Sequence, residues 1–428
     1  MQSCIGIEFR GSFTKVGFPQ RPSGTALINP ARSITPSPAC SPPRTSNSPP
    51  QEHTAVRKLN YQENVMSPDH TISRRSIFKG AGGLAAASVL GAGAAWTSTA
   101  PAHADGLEVV GHETDGRMEM YEFTTPSIQK REGISIIAKR LNPSVMRNPR
   151  VNVLLPDGYD SGKRYPVLYL FHGGANSYDT YDKSYNIREL TAGRDLIVVM
   201  PDAAVGWHCD PVSSNVGPRN WETFHMKELL PWVDATFRTF PEQAGRAVSG
   251  FSMGGFGALK YAAKYSDHFA SVSAHSGPAN LRTTSYDIRP SGVPVTNVII
   301  RWANISAGLV ELGAGTIYGF PEEKWRQDLI TADNPIENVE SYRGKRIFLV
   351  AGTDRLRPVW DNFPQLASQL GSALNEDTVL NTQKEFAEKL DSAGIQYERH
   401  EEQGGHIIRP ERLQQDIDGV VAHLRKAE

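Results

Sequence analysis

Cysteine is scarce in this sequence: three among 428 residues, Cys4, Cys40 and Cys209. That excludes a small disulfide-stapled scaffold, and no pair of cysteines has the close spacing of a structural zinc site. An excess of one charge is missing too. Lys and Arg number 45 against 46 Asp and Glu, a formal net charge of −1. No dominant basic block interrupts residues 105–428, so no nucleic-acid partner is expected. No apolar run reaches the roughly 20 residues needed to cross a bilayer. The stretch at 80–95, GAGGLAAASVLGAGAA, is shorter and mostly Gly and Ala. Large apolar side chains are rare from 21 to 52, where Pro and Ser crowd. Too little surface can be buried there to offset the entropy of ordering the chain.

What is present begins with Ser73-Arg74-Arg75-Ser76-Ile77-Phe78-Lys79, then the Gly/Ala stretch, then Ala102-His103-Ala104 before Asp105. Paired arginines, an apolar region and a small-residue cleavage box in that order read as a twin-arginine export signal. The chain therefore divides into residues 1–65, expected to be disordered, 66–104, the signal, and 105–428, one α/β domain. Met66 stands just ahead of the signal, so residues 1–65 are expected to precede the true start. Sequencing the N-terminus of the unprocessed precursor tests that. Export would leave the mature chain extracellular or at the cell wall, without a stable membrane anchor. Only Cys209 would survive processing, and an oxidising compartment then has nothing to pair it with.

From Asp105 onward, Met118–Phe123 and Val151–Leu155 read as opening strands, with Pro156-Asp157-Gly158 as a turn. The runs 166–171 (PVLYLF) and 196–200 (LIVVM) are nearly all apolar, as strands buried on both faces of a parallel sheet are. Ala247–Ser249 and Arg346–Val350 continue the set. Apolar spacings of three and four predict helices over Thr223–Phe237, Phe256–Tyr265 and Thr378–Ala393. Strands alternating with helices predict a doubly wound, mostly parallel sheet, with helices on both faces. The less regular region from Ala279 to Arg343 holds one plausible helix near Val298–Leu312 and reads as a cap or side wall.

Gly250-Phe251-Ser252-Met253-Gly254 is the motif that carries chemistry. G-x-S-x-G alone is common, but here a strand precedes it and GGFGALKYAAKY follows as a helix, the context of a nucleophile elbow. Ser252 is the expected nucleophile. Met253 opens the helix, and its N–H beside the helix dipole is an expected oxyanion donor. The loop Phe171-His172-Gly173-Gly174 follows a buried strand and offers a second donor from Gly173 or Gly174. A base should come last in the chain, and His406, in a loop after a strand predicted over Gln396–His400, fits that order. Two carboxylates compete for the acid: Asp354, after the strand RIFLV, which spacing favours, and Glu376, before the helix leading to His406. His172 beside glycines reads as a loop-shaping residue. Adjacent His208-Cys209-Asp210 side chains seldom converge on one ion, so neither a metal nor a cofactor is expected.

These motifs resemble the α/β-hydrolase esterase family that includes the antigen 85 mycolyltransferases and their corynebacterial relatives. The likeness covers nearly all of 105–428. It rests on Trp221-Glu222-Thr223-Phe224 before Glu228-Leu229-Leu230-Pro231, on the Ser252 motif, on Ser276-Gly277, and on Trp325 ahead of Asn334-Pro335. The resemblance implies a late catalytic Glu ten residues before an apolar helix position. Glu376 and Phe386 have that spacing, which moves the expected acid to Glu376, with Asp354 as alternative. The family's Thr-His-Ser-Trp run is Gly405-His406-Ile407-Ile408 here, and its oxyanion Asp-Gly is His172-Gly173. Fold and triad carry over, therefore, but the mycolate substrate does not. The expectation is a secreted serine esterase acting on small-molecule or lipid esters. The alternatives are an acyltransferase that uses a carbohydrate hydroxyl as acceptor, and a secreted binding protein that has lost catalysis.

Overall fold

The computed structural model describes residues 106–130, 143–286, 294–353 and 376–428. The expected signal and disordered segment, and Asp354, lie outside the described residues. The described residues form eleven strands: β1 Glu108–Asp115, β2 Met118–Thr124, β3 Arg150–Leu154, β4 Val167–Phe171, β5 Ile197–Pro201, β6 Arg246–Phe251, β7 Ser271–His275, β8 Ser285–Tyr286, β9 Pro294–Val295, β10 Arg346–Gly352 and β11 Glu398–Glu402. Nine form one sheet in the order β1-β2-β3-β5-β4-β6-β7-β10-β11, while β8 and β9 pair separately. From β5 to β11 neighbouring strands are parallel. The β1, β2 and β3 side is an antiparallel edge, which the alternation of strand and helix did not foretell. Strands β4 to β7 are buried along their whole lengths, because helices cover both faces; β4 and β5 are nearly all apolar for that reason, whereas β6 and β7 carry Arg246, Ser249, Ser271, Ser273 and His275 into the interior.

The order reverses at β4: the chain steps to β5 on one side, then crosses to β6 on the other. In such sheets the crevice outside the carboxyl ends of the strands at the reversal is where ligands sit. Phe171 of β4 lies opposite Gly250 of β6, and Phe251 lies opposite His275 of β7. The loops opening at residues 172, 252, 276, 353 and 403 thus leave from one end of the sheet.

The helix predicted over Thr223–Phe237 is interrupted. α1 Trp221–Thr223 passes through a π-helical stretch, Phe224–Leu229, into α2 Leu230–Thr236. Pro231 has no N–H to give the Lys227 carbonyl, so the ladder widens just ahead of it. α3 Met253–Lys264 is buried on nearly every side. Its charged residues meet others: Lys260 and Lys264 each pair with both Glu222 and Asp333 at 2.7 to 3.0 Å. Burial alone would raise the Glu222 pKa, but the two lysines outweigh it and bring it down to about 2. This ring ties α3 to α1 and to α5, which ends at Asp333 when α4 is Val298–Val310 and α5 Gln327–Asp333. Ile299, Ile300 and Ala303 of α4 share one buried apolar cluster with Trp207, Met253 and Phe256. The irregular region is accordingly a side wall next to the start of α3. α6 is Glu376–Ser392 and α7 Pro410–His423.

Candidate active site

Ser252 sits between β6 and α3 with φ 56° and ψ −119°, a conformation costing a non-glycine residue about 1–3 kcal/mol. Two hydrogen bonds hold it there. Its N–H donates to the His275 carbonyl at 2.9 Å, and its carbonyl accepts from Phe256 N–H at 3.0 Å. The flanking glycines permit the rest. A Cβ on Gly250 would stand 2.4 Å from the Gly254 carbonyl, and one on Gly254 would stand 2.3 Å from the Phe171 carbonyl oxygen. Only a bare backbone allows helix, strand and loop to approach so closely.

His406 lies in the loop after β11 with its side chain 6% exposed. Its ring packs 5.0 Å from that of Phe251, and Arg409 fixes the loop by donating to the Gly405 and Ile407 carbonyls, each at 3.1 Å. Nε2 accepts from the Ser252 hydroxyl at 2.7 Å, and Nδ1–H donates to Glu376 Oε2 at 2.5 Å. Glu376 opens α6 and is fully buried. Its other oxygen accepts from the Ser276 hydroxyl at 2.7 Å and from Gly352 N–H at 2.5 Å. Nucleophile, base and carboxylate expected from the sequence therefore form one hydrogen-bonded chain. The end of β10, after which the alternative acid Asp354 follows outside the described residues, delivers the Gly352 amide to Glu376.

Met253 is the first residue of α3, so its N–H points out of the helix start beside Ser252. The loop holding Gly173 and Gly174 runs against that end. The close approach of Gly254 to the Phe171 and His172 carbonyls fixes its position, and a Cβ on Gly174 would be 3.9 Å from Met253 Sδ. His172 shapes this loop. Its Nδ1–H donates to the Gly173 carbonyl at 2.7 Å and its Nε2 accepts from Ala203 N–H at 2.9 Å. Burial lowers its pKa and keeps it neutral.

Several other buried residues have partners outside this hydrogen-bonded chain. Trp207 and Trp221 are buried, with indole N–H groups donating to Ser306 at 2.9 Å and Glu311 at 2.8 Å. Asp210 caps α1 by accepting from the Thr223 N–H and hydroxyl. His208 stacks on Phe171 with centroids 4.6 Å apart, whereas Cys209 Sγ faces Lys260 Nζ at 3.1 Å. These three neighbours point to three different surroundings.

A second Ser-His-Asp grouping was not foreseen. Buried Asp416 of α7 accepts from Ser249, Ser273, His275 Nε2 and Arg346, at 2.8, 2.5, 3.1 and 2.8 Å. Burial would raise its pKa, but His275 and Arg346 depress it strongly. Both hydroxyls donate to the carboxylate and neither to the imidazole, so no base is set against a nucleophile. It clamps α7 to β6, β7 and β10. A groove of about 460 Å³ lined by Arg343, Lys345, Tyr397 and His423 lies at the opposite ends of β10 and β11 from Ser252.

The sequence pattern of the family described as "Putative esterase" matches residues 143–419. Esterase Rv1288 of Mycobacterium tuberculosis is 51% identical over 327 residues, 75% of this chain and 63% of that protein. The chain thus spans less than two thirds of that relative's length. The MPT51/MPB51 antigen of Mycobacterium bovis is 27% identical over 170 residues, 35% of this chain and 54% of the antigen. Among solved structures, an S-formylglutathione hydrolase from Agrobacterium tumefaciens is 14% identical, covering 74% of this chain and 99% of its own, with a TM-score of 0.49.

Proposed function

The chain belongs to this esterase family, and from that premise we propose that it is a serine esterase working through Ser252, His406 and Glu376. The observation that carries the reading is the unbroken run of hydrogen bonds from the Ser252 hydroxyl through His406 to Glu376. In the proposed reaction His406 Nε2 takes the hydroxyl proton as Ser252 Oγ attacks the ester carbonyl carbon. Glu376 orients the ring and stabilises the imidazolium. The developing oxyanion is met by the Met253 N–H and by an N–H of Gly173 or Gly174, on a helix start whose dipole favours negative charge. The imidazolium returns its proton to the leaving alkoxide, leaving an acyl-enzyme. Water, deprotonated in turn by His406, then releases the acid.

A fluorophosphonate probe tests this reading. Wild type is expected to label and Ser252→Ala not, with kcat on nitrophenyl esters reduced by roughly 10⁴ to 10⁶. An unlabelled wild type, or equal labelling of both, ends it. Adding a sugar acceptor to the same assay distinguishes hydrolysis from acyl transfer by the product formed. Export rests on Arg74 and Arg75 and is proposed with it; export unchanged by replacing both with Lys would refute it.

A further inference from the structure

We propose that Ser276 is a positioning residue of the site, keeping Glu376 aimed at His406; this rests on the triad reading above. Ser276 is fully buried, and its backbone is left-handed, φ 48°. A non-glycine residue keeps that conformation only where surroundings impose it, and such residues gather at functional sites. Here it turns the hydroxyl onto Glu376 Oε1 at 2.7 Å, while the Ser276 N–H is tied to the Val350 carbonyl at 2.7 Å. The residues on either side reach the nucleophile. The His275 carbonyl accepts the Ser252 N–H, and a Cβ on Gly255 of the elbow helix would stand 2.8 Å from Gly277 Cα. Three consecutive residues thus fix where nucleophile and acid stand relative to each other.

The carboxylate of Glu376 has no exposure to water, so only donors of the protein can satisfy its oxygens. Ser276 and Gly352 both serve Oε1, and that leaves Oε2 facing His406 Nδ1. Removing the hydroxyl deprives a buried anion of one donor. The carboxylate then becomes free to turn away from His406.

The test compares wild type, Ser276→Ala, Ser276→Gly and each change combined with Glu376→Gln. Glycine accepts the left-handed backbone, so it separates loss of the hydroxyl from backbone strain. Both single variants are expected to lose roughly 10- to 100-fold in kcat/KM, the effect of one hydrogen bond to a buried charge. KM should stay near wild type. In the Glu376→Gln background the same changes should cost less than about threefold. Full activity in Ser276→Gly, or an equal loss in both backgrounds, would overturn the proposal while leaving the esterase reading intact. Failure of wild type to label with the fluorophosphonate removes the reading itself.

Discussion

Glu376→Gln is the perturbation for which the structure prescribes an outcome most tightly. The two donors at Oε1, the Ser276 hydroxyl and the Gly352 N–H, dictate how the new amide sits. Its oxygen must face them, since an amide N–H₂ there would set donors against a donor in a fully buried place. The N–H₂ then faces His406 Nδ1, which must accept rather than donate. That moves the imidazole proton to Nε2, where it points at Ser252 Oγ, and the group that should take the hydroxyl proton already carries one. Such a tautomer error in a Ser-His-acid triad costs kcat about 10⁴-fold, about 5.5 kcal/mol of transition-state stabilisation. All four heavy-atom contacts survive, so thermal melting should change by only a few degrees. The assay is kcat on a nitrophenyl ester, with single-turnover acylation to isolate the first step. An activity within about tenfold of wild type would refute the argument and return the acid's role to Asp354, whose Asn variant is expected to be nearly silent.

Two further outcomes follow from the packing. Gly254→Ala places a Cβ 2.3 Å from the Phe171 carbonyl oxygen and 2.6 Å from that of His172; because both are backbone, the loop holding Gly173 and Gly174 must shift, and the variant should lose about 1–3 kcal/mol in urea unfolding together with most acylation activity. Unchanged acylation would show that this loop has no part in the reaction. The Glu222 pKa is depressed from 4.5 to about 2, so its stabilising contribution, on the order of 3 kcal/mol, is complete above pH 4.5 and lost as pH falls toward 2. Asp416 acts in the same direction. Thermal melting followed across that window should show the decline. Glu222→Gln should be less stable at pH 7 with a shallower acid loss, and an equally steep decline in that variant would contradict the assignment.

Legibility in the sequence followed the range of the forces involved. Ser252 could be read because its constraints are local: a strand, two glycines and a helix within a few residues account for its turn. His406 could be read because chain order in a doubly wound sheet fixes which loop comes last. Glu376 needed the family's spacing, since the end of β10 pointed to Asp354. Ser276, the Gly352 amide and Arg409 were not legible, because their contacts depend on β6, β7, β10 and β11 lying side by side, and register between distant strands is not written in either strand. The charge ring was hidden for a different reason. Lys260 and Lys264 lie one turn apart on α3, which in isolation describes a solvated face, yet Lys260 is fully buried. Only the meeting with Glu222 and Asp333 makes that burial tolerable, and with burial resisting its charge, Asp333 and Glu222 still hold the Lys260 pKa well above that of a free lysine. That ring bears on Ser252 through strain. A serine at φ 56° stays in place only if the helix behind it cannot relax, and α3 is pinned by ions toward α1 and α5, by Gly255 against Gly277, and by Gly254 against the loop after β4. The features the sequence concealed are those that keep its most readable residue in an unfavourable conformation.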